Sequence, residues 1–547
     1  MKLKNLFSVG TCCILLASCS NDEPANNGNN NGVETQGTSY VNIAINLPTV
    51  SSSMSRADDQ SNDQFYDGEA SEYQVQKAYL VIFKGSTEAD ATVSGVYNID
   101  NLKPWNMEGT NIDNVTSTAQ TVAKIEEAPA DNLWALVVLN DADAKAHFEK
   151  DKSFSALTLE PVSMDVMKNT NGFYMTNAPL YAATGAQTLV KLNRNQIKAT
   201  EAEAKATTAA EIYVERGVAK VTVTVPATAS VTIDNKKYVP TIQKWALDVT
   251  NKTSYLVRNV SSFSAWKDLQ SKMSTAKSGP RFYSEASERI YWAIDPNYDQ
   301  QVKEDETKTI FNTVAENEIN LNADAIGYCL ENTFDLANQM QSQTTRVVFK
   351  ASFAPEGGSP ETFYTIGASS VIYNKEGMQN LVKAEAIKLF ENKKDGDKYT
   401  FATNTSVSAT AGKHTIEVGD VAYDGNNLTA EEIEALNESI GSINTYLNGE
   451  CYYVARIQHF GQTYTPWTSI EPTYGLEDDK VIANNNYLGR YGMVRNNWYE
   501  LAVNDIKTLG SPVVPETPNT PDDEKTYYLS FKVNMHSWAK RVQNITL

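Results

Sequence analysis

The chain has 547 residues, of which 41% are hydrophobic, 10% aromatic and 21% charged, and it carries a net charge of −20 with a pI near 4.8. That length exceeds one ordinary core and predicts two domains, with room for a short appendage. The acidic balance excludes a nucleic-acid partner and an anionic membrane surface, because both need clustered Lys and Arg.

The first element is a targeting segment. Lys2 and Lys4 precede an apolar run that ends in Leu16-Ala17-Ser18-Cys19, too short to span a bilayer stably. The pattern predicts a lipoprotein signal peptide over residues 1–18, with Cys19 as the lipidated first residue of the exported chain. The acidic Asn21-Asp22-Glu23 that follows resembles a surface-export signal of Bacteroidetes lipoproteins.

Residues 19–56 are predicted to be a tether and a removable first strand. Asn26 to Gln36 is rich in Asn and Gly and cannot bury enough apolar surface to fold. Val41, Ile43, Ile45 and Leu47 then alternate as one apolar face, and Pro48 ends the run. The next segment, Val50 to Asn62, is made largely of small polar residues and holds Arg56, the sole arginine before Arg194. The acidic residues Asp58, Asp59, Asp63 and Asp67 miss the alternating-oxygen spacing of a calcium loop and read as a solvated segment.

From there the chain is rich in strand signals. Val75–Phe83, Leu133–Leu139, Ala209–Val225, Val239–Val257 and Thr345–Phe353 are β-branched and aromatic runs bounded by turn residues. Two helices are predicted, over Glu376–Phe390 and Thr429–Leu447; the second opens on the capping box Thr429-Ala430-Glu431-Glu432. The fold class is therefore mostly β, two sandwich domains over residues 57–235 and 236–510 with a few helices. Residues 511–547 follow as a Pro-rich linker and a final strand, the linker read as a stiff spacer that holds that strand away from the body.

Chemistry is not visible. The four histidines, His147, His414, His459 and His536, have no second ligand at metal spacing, so no metal, cofactor or catalytic residue is predicted and the chain is read as a non-enzyme. Cys329 and Cys451 remain once the signal and lipid sites are set aside, and they either pair or stay as buried thiols. The 28 Tyr and 8 Trp fit core and cross-strand pairs better than a carbohydrate platform.

The tail answers the first strand. Tyr528 to Met535 places Leu529, Phe531, Val533 and Met535 in the alternation of Val41, Ile43, Ile45 and Leu47. An exposed loop of small residues is a nicking site, and a trypsin-like enzyme cutting at Arg56-Ala57 separates lipid, tether and strand from the rest. Loss of four buried aliphatic side chains exposes a deficit on the order of 10 kcal/mol. A strand with the same alternation from another chain removes it, which is donor-strand complementation. A donor at one end and an acceptor at the other give a head-to-tail polymer of the chain with itself.

Several blocks resemble one family in chain order: Phe173–Tyr181 (FYMTNAPLY), Val214–Val221 (VERGVAKV), Tyr291–Tyr298 (YWAIDPNY), Tyr328–Phe334 (YCLENTF) and Tyr487–Pro512, followed by the ending SWAKRVQNITL. They resemble the type V fimbrillins of Bacteroidales, in particular their Mfa-type shaft subunits. The resemblance implies two transthyretin-like β-sandwich domains, export to the outer membrane as a lipoprotein and cleavage by an arginine-specific surface protease, carried here onto Arg56-Ala57. It also implies polymerisation through a neighbour's C-terminal strand into an extracellular fimbrium that mediates adhesion. The implied partners are further copies of the chain, anchor and tip fimbrial subunits, and host or bacterial surface receptors. Alternative readings are a surface glycan-binding lipoprotein and a fimbrial anchor subunit that keeps its lipid.

Overall fold

The computed structural model describes residues 37–46, 69–72, 74–100, 102, 118–182, 185–225, 230–272, 281–283, 288–303, 306–459, 474–477, 480–483, 488–521 and 539–546. Among these the architecture is mostly β, as the β-branched runs require.

The first core is built from β1 (Ser39–Asn46), β2 (Ala78–Lys84), β3 (Thr92–Asn98), β4 (Thr118–Ile125), β5 (Leu133–Leu139), β6 (Met175–Asn177), β7 (Ile197–Lys198) and β8 (Ala210–Arg216). Their order is β7-β1-β8-β6-β5-β2-β3, with β4 paired to β1. β8 joins the two leaves of this core. Its first half, Ala210–Tyr213, lies parallel to Ile43–Asn46, and its second half, Val214–Arg216, runs antiparallel to β6. Val41, Ile43 and Ile45 from one leaf meet Leu80, Val137 and Leu139 from the other in a single apolar cluster.

Gly217 carries the chain from the first core to the second. A Cβ there would stand 2.2 Å from the sulfur of the buried Met167 side chain, which would have to shift for any larger residue. The β-branched stretch Ala209–Val225 accordingly forms two strands, β8 and β9 (Val218–Thr224). The second core adds β10 (Lys236–Asp248), β11 (Ile326–Leu330), β12 (Arg346–Pro355), β13 (Glu450–Arg456), β14 (Asn497–Asp505) and β15 (Ala539–Thr546). One sheet runs β11-β9-β14-β15, and the other joins the strand Val231–Ile233 to β10, β12 and β13. Val221, Cys329 and Leu501 from the first sheet meet Phe349, Cys451 and Ala455 from the second. The backbone thus changes cores at Gly217, and the expected boundary at 235/236 falls at the start of β10, within its hairpin with Val231–Ile233.

Cys329 and Cys451 are free and buried, one in each facing sheet. Burial pushes their thiols up to about 12 and about 11.

α1 (Glu201–Lys205) lies in the first domain; α2 (Lys375–Leu389) and α3 (Ala430–Ile440) pack together on a separate apolar cluster of the second. α2 lies within one residue of its predicted limits. α3 corrects its own: Thr429 caps it as expected, but Gly441, at φ 74°, stops it, and Ile443–Tyr446 becomes a strand paired with Phe363–Ile366. The apolar spacing that continued the helical pattern is there the alternation of a strand.

The Pro-rich linker also departs from expectation. It does not stand clear but lies along the second domain. Ser511 exchanges backbone hydrogen bonds with Tyr452 at 2.8 and 2.9 Å, and the Gln341 N–H donates to the Thr520 carbonyl at 2.8 Å. Pro-rich extended backbone makes no internal hydrogen bonds, so its carbonyls are open to such donors.

Candidate assembly site

β1 has no free edge among the described residues. On one side it pairs antiparallel with β4 through all eight of its residues; on the other it pairs with β7 at Tyr40 and Val41 and with β8 from Ile43 to Asn46. Alternation places Val41, Ile43 and Ile45, each 0% exposed, in the core.

The second face is buried as well, which the sequence reading missed. Asn42 and Ala44 are 2% and 4% exposed, under α1 and the turn after it. The Asn42 side-chain amide donates to the Thr207 carbonyl at 2.9 Å and its oxygen accepts from Gln120 at 3.2 Å. Asn46 donates to the Glu211 carboxylate at 2.6 Å. Tyr213, the register partner of Asn46, has its hydroxyl pushed up by burial and by the Glu211 and Glu288 carboxylates. The signal was present: asparagine is uncommon inside strands unless its amide has partners.

Removing β1 would open a slot with unpaired backbone on both walls, β4 and β8. Its three core aliphatics alone represent about 5–9 kcal/mol of apolar burial, at about 1.5–3 kcal/mol each.

The chain that follows the predicted cut is pinned. Ala70–Glu72 forms a short helical turn, and Glu72 is 0% exposed. Its carboxylate accepts from Lys220 Nζ at 2.9 Å and from the Tyr328 hydroxyl, and its carbonyl accepts from Arg216 Nε at 3.0 Å. Burial and then the Glu72 charge push the Tyr328 hydroxyl well above its usual range. Lys220 also stands 4.2 Å from the Trp498 ring centroid. Glu72 is therefore tied to both cores, through Arg216 of β8 and Lys220 of β9.

A network of buried ions lies beside this anchor. Arg258 stands 3.3 Å from both Glu215 and Glu331 and donates to the carbonyls of Ile290 and Tyr291 at 3.0 and 2.8 Å. Arg495 donates to Glu331 at 3.2 Å and to the Ser254 hydroxyl at 2.8 Å. Burial holds the Glu215 carboxyl above the usual range, opposed first by Arg258. These groups are shared out between the two cores and fasten them together. The sequence cue was charge, Glu215, Arg216 and Lys220, close together in a pair of strands rich in Val and Ile.

Among the described residues no group of three His, Cys, Asp or Glu is placed to hold a metal ion, and no helix is long and apolar enough to cross a membrane. Cys19, Leu47, Arg56, Ala57, Leu529, Phe531, Val533 and Met535 lie outside the described residues. Beyond them, β15 extends the second domain's own sheet by pairing parallel with β14.

Residues 444–544 match the family model of the C-terminal part of fimbrillin, the type IV major fimbrial subunit protein. This end of the chain is similar to the C-terminal part of fimbrillin. The fimbrillin match covers β13, β14, the docked Pro-rich segment and most of β15. Two solved structures are similar to parts of the chain at low identity. The tip fimbrial protein Mfa3 from Porphyromonas gingivalis, truncated at its C-terminus, is 13% identical over 61% of this chain and 80% of its own, with a TM-score of 0.27. A fimbrial assembly protein from Parabacteroides distasonis is 10% identical over 62% of this chain and 88% of its own, with a TM-score of 0.26. A search of curated proteins finds no match.

Proposed function

We propose that the chain is a shaft subunit of a cell-surface fimbria, with β1 as a placeholder for a strand supplied by the next subunit. The fimbrillin match supports a fimbrial subunit role. The single observation that carries the exchange reading is the condition of β1: it is paired on both edges and buried on both faces, yet in sequence it precedes the body and is followed by the small-residue segment that holds Arg56.

In this reading the subunit is exported with lipid on Cys19, which holds it at the outer membrane. An arginine-specific surface protease cuts Arg56-Ala57, and β1 leaves with the lipid. Glu72 keeps the shortened N-terminus fastened to Lys220, so the open slot keeps its shape. A neighbour's Leu529, Phe531, Val533 and Met535 then replace Val41, Ile43, Ile45 and Leu47. β15, held among the described residues by one ladder to β14, is the tail's weaker attachment, and one ladder costs less to open than the three that hold β1. Repetition builds a head-to-tail filament that joins anchor and tip subunits at its ends and presents adhesive surface to host or bacterial receptors.

The test is direct complementation. A synthetic peptide of residues 527–547 added to the cleaved, strand-free subunit should bind one to one and raise its melting temperature. No binding by the folded, cleaved subunit would reject the exchange reading.

A further inference from the structure

The linker carries prolines at 512, 515, 518 and 521, one every third residue. A polyproline II helix has three residues per turn and leaves its carbonyls without internal partners, so this spacing suits a straight rod with open acceptors. The second domain presents donors to those acceptors. Asp248 Oδ1 accepts from the N–H of Val249 at 3.0 Å and of Val314 at 2.9 Å, while Oδ2 accepts from Arg346 Nε at 2.8 Å. With that edge of the guanidinium fixed, its other nitrogens donate to the carbonyls of Glu516, at 3.0 Å, and of Pro515. Arg346 and Asp248 are each 2% exposed.

Both ends of the rod are held too. At the near end the Tyr446 hydroxyl donates to the Gly510 carbonyl at 3.0 Å. At the far end the Gln341 amide donates to the Thr520 hydroxyl at 3.1 Å and the Pro521 carbonyl at 3.3 Å, and the Ser342 hydroxyl donates to Asn519 at 2.9 Å.

We infer that Arg346, oriented by Asp248, is the centre of a clamp that turns residues 511–521 into a fixed arm. The arm makes the tail depart for a second copy of this chain from one place, Pro521. This rests on the exchange reading proposed above. Leu529 lies eight positions beyond Pro521, whereas it lies nineteen beyond Gly510, where a freed tail would begin. The end-to-end spread of a flexible chain grows as the square root of its length, so release widens the donor's range about 1.5-fold. Arginine suits the position because its planar fork can hold a carboxylate on one edge and two carbonyls on the other, which a lysine ammonium cannot. Arg346 is a positioning residue.

Two variants of the full chain test the clamp. Arg346→Lys keeps a charge beside Asp248 but loses the fork, and Gln341→Ala/Ser342→Ala opens the far end with Arg346 in place should the first variant fail to fold. In the unassembled chain a glutamate-specific protease should cut after Glu516 at least tenfold faster in either variant than in the wild type. Equal rates would overturn the clamp, however the subunits join. In filaments, the spread of subunit-to-subunit spacing should widen about 1.5-fold when Arg346→Lys is combined with Gln341→Ala/Ser342→Ala, which frees the arm past Ser511, and an unchanged spread in that combined variant would overturn the positioning role. Filaments from a chain lacking Tyr527 to Leu547 would instead remove the exchange reading, and the protease rates would still decide the clamp.

Discussion

Asn46 donates a hydrogen bond of 2.6 Å to the Glu211 carboxylate across the parallel pair of β1 and β8. When Tyr528–Met535 is laid on Tyr40–Leu47, Asn534 falls on Asn46, so the proposed donor repeats this polar contact as well as the apolar alternation. Asn534→Ala should therefore leave the monomer's melting temperature unchanged and lower the filament's stability by about 1 kcal/mol per junction. The shift in the guanidinium midpoint of filament dissociation measures it. An equal effect on monomer and filament would place Asn534 within its own subunit.

Ile43 is 0% exposed in the precursor and absent from the processed subunit in the exchange account. Ile43→Ala should cost the precursor about 2–5 kcal/mol. It should leave filaments assembled from processed subunits as stable as wild type. Denaturant unfolding of the two forms separates the cases, and a destabilised filament would mean that β1 stays.

Val533→Asp puts a charge where the donor would fill the position of Ile45. Filament yield should fall at least tenfold while the monomer keeps its fold, read by electron microscopy and circular dichroism. Arg56→Ala should leave full-length lipidated monomers in place of filaments, visible by mass on a denaturing gel.

Asp295 supplies a pH dependence. It is 2% exposed and accepts from the backbone N–H groups of Thr333 and Asn297, yet burial raises its carboxyl from 3.8 to about 7. A folded value above the unfolded one favours the protonated, folded form. The contribution is complete below about pH 4 and is lost as the pH rises through about 7. Asp295→Asn should accordingly stabilise the protein at pH 8, by on the order of 4 kcal/mol at most, and make little difference at pH 4. Melting curves at the two pH values check the sign.

Local pattern carried much of the fold. β5 has the limits its β-branched run predicts, and α2 lies one residue from its own, because a long regular periodicity admits one reading. α3 was overread because Ile443 and Leu447 continue a helical spacing by chance past Gly441, where the positive φ ends it. At the candidate site, the core face of β1 was legible in Val41, Ile43 and Ile45. Its second face was not, since the partners of Asn42 and Asn46, Thr207 and Glu211, lie 165 residues away. The docking of the Pro-rich segment was hidden for the same reason: Arg346 precedes Pro515 and Glu516 by 169 and 170 residues.

The central claim is that β1 is a placeholder, and the N-terminus of the subunit within surface filaments tests it most directly. Peptide mass spectrometry of sheared filaments should find chains that begin at Ala57, with no peptide from Ser39–Asn46. Chains that begin at a lipidated Cys19 and retain Ser39–Asn46 would contradict the account.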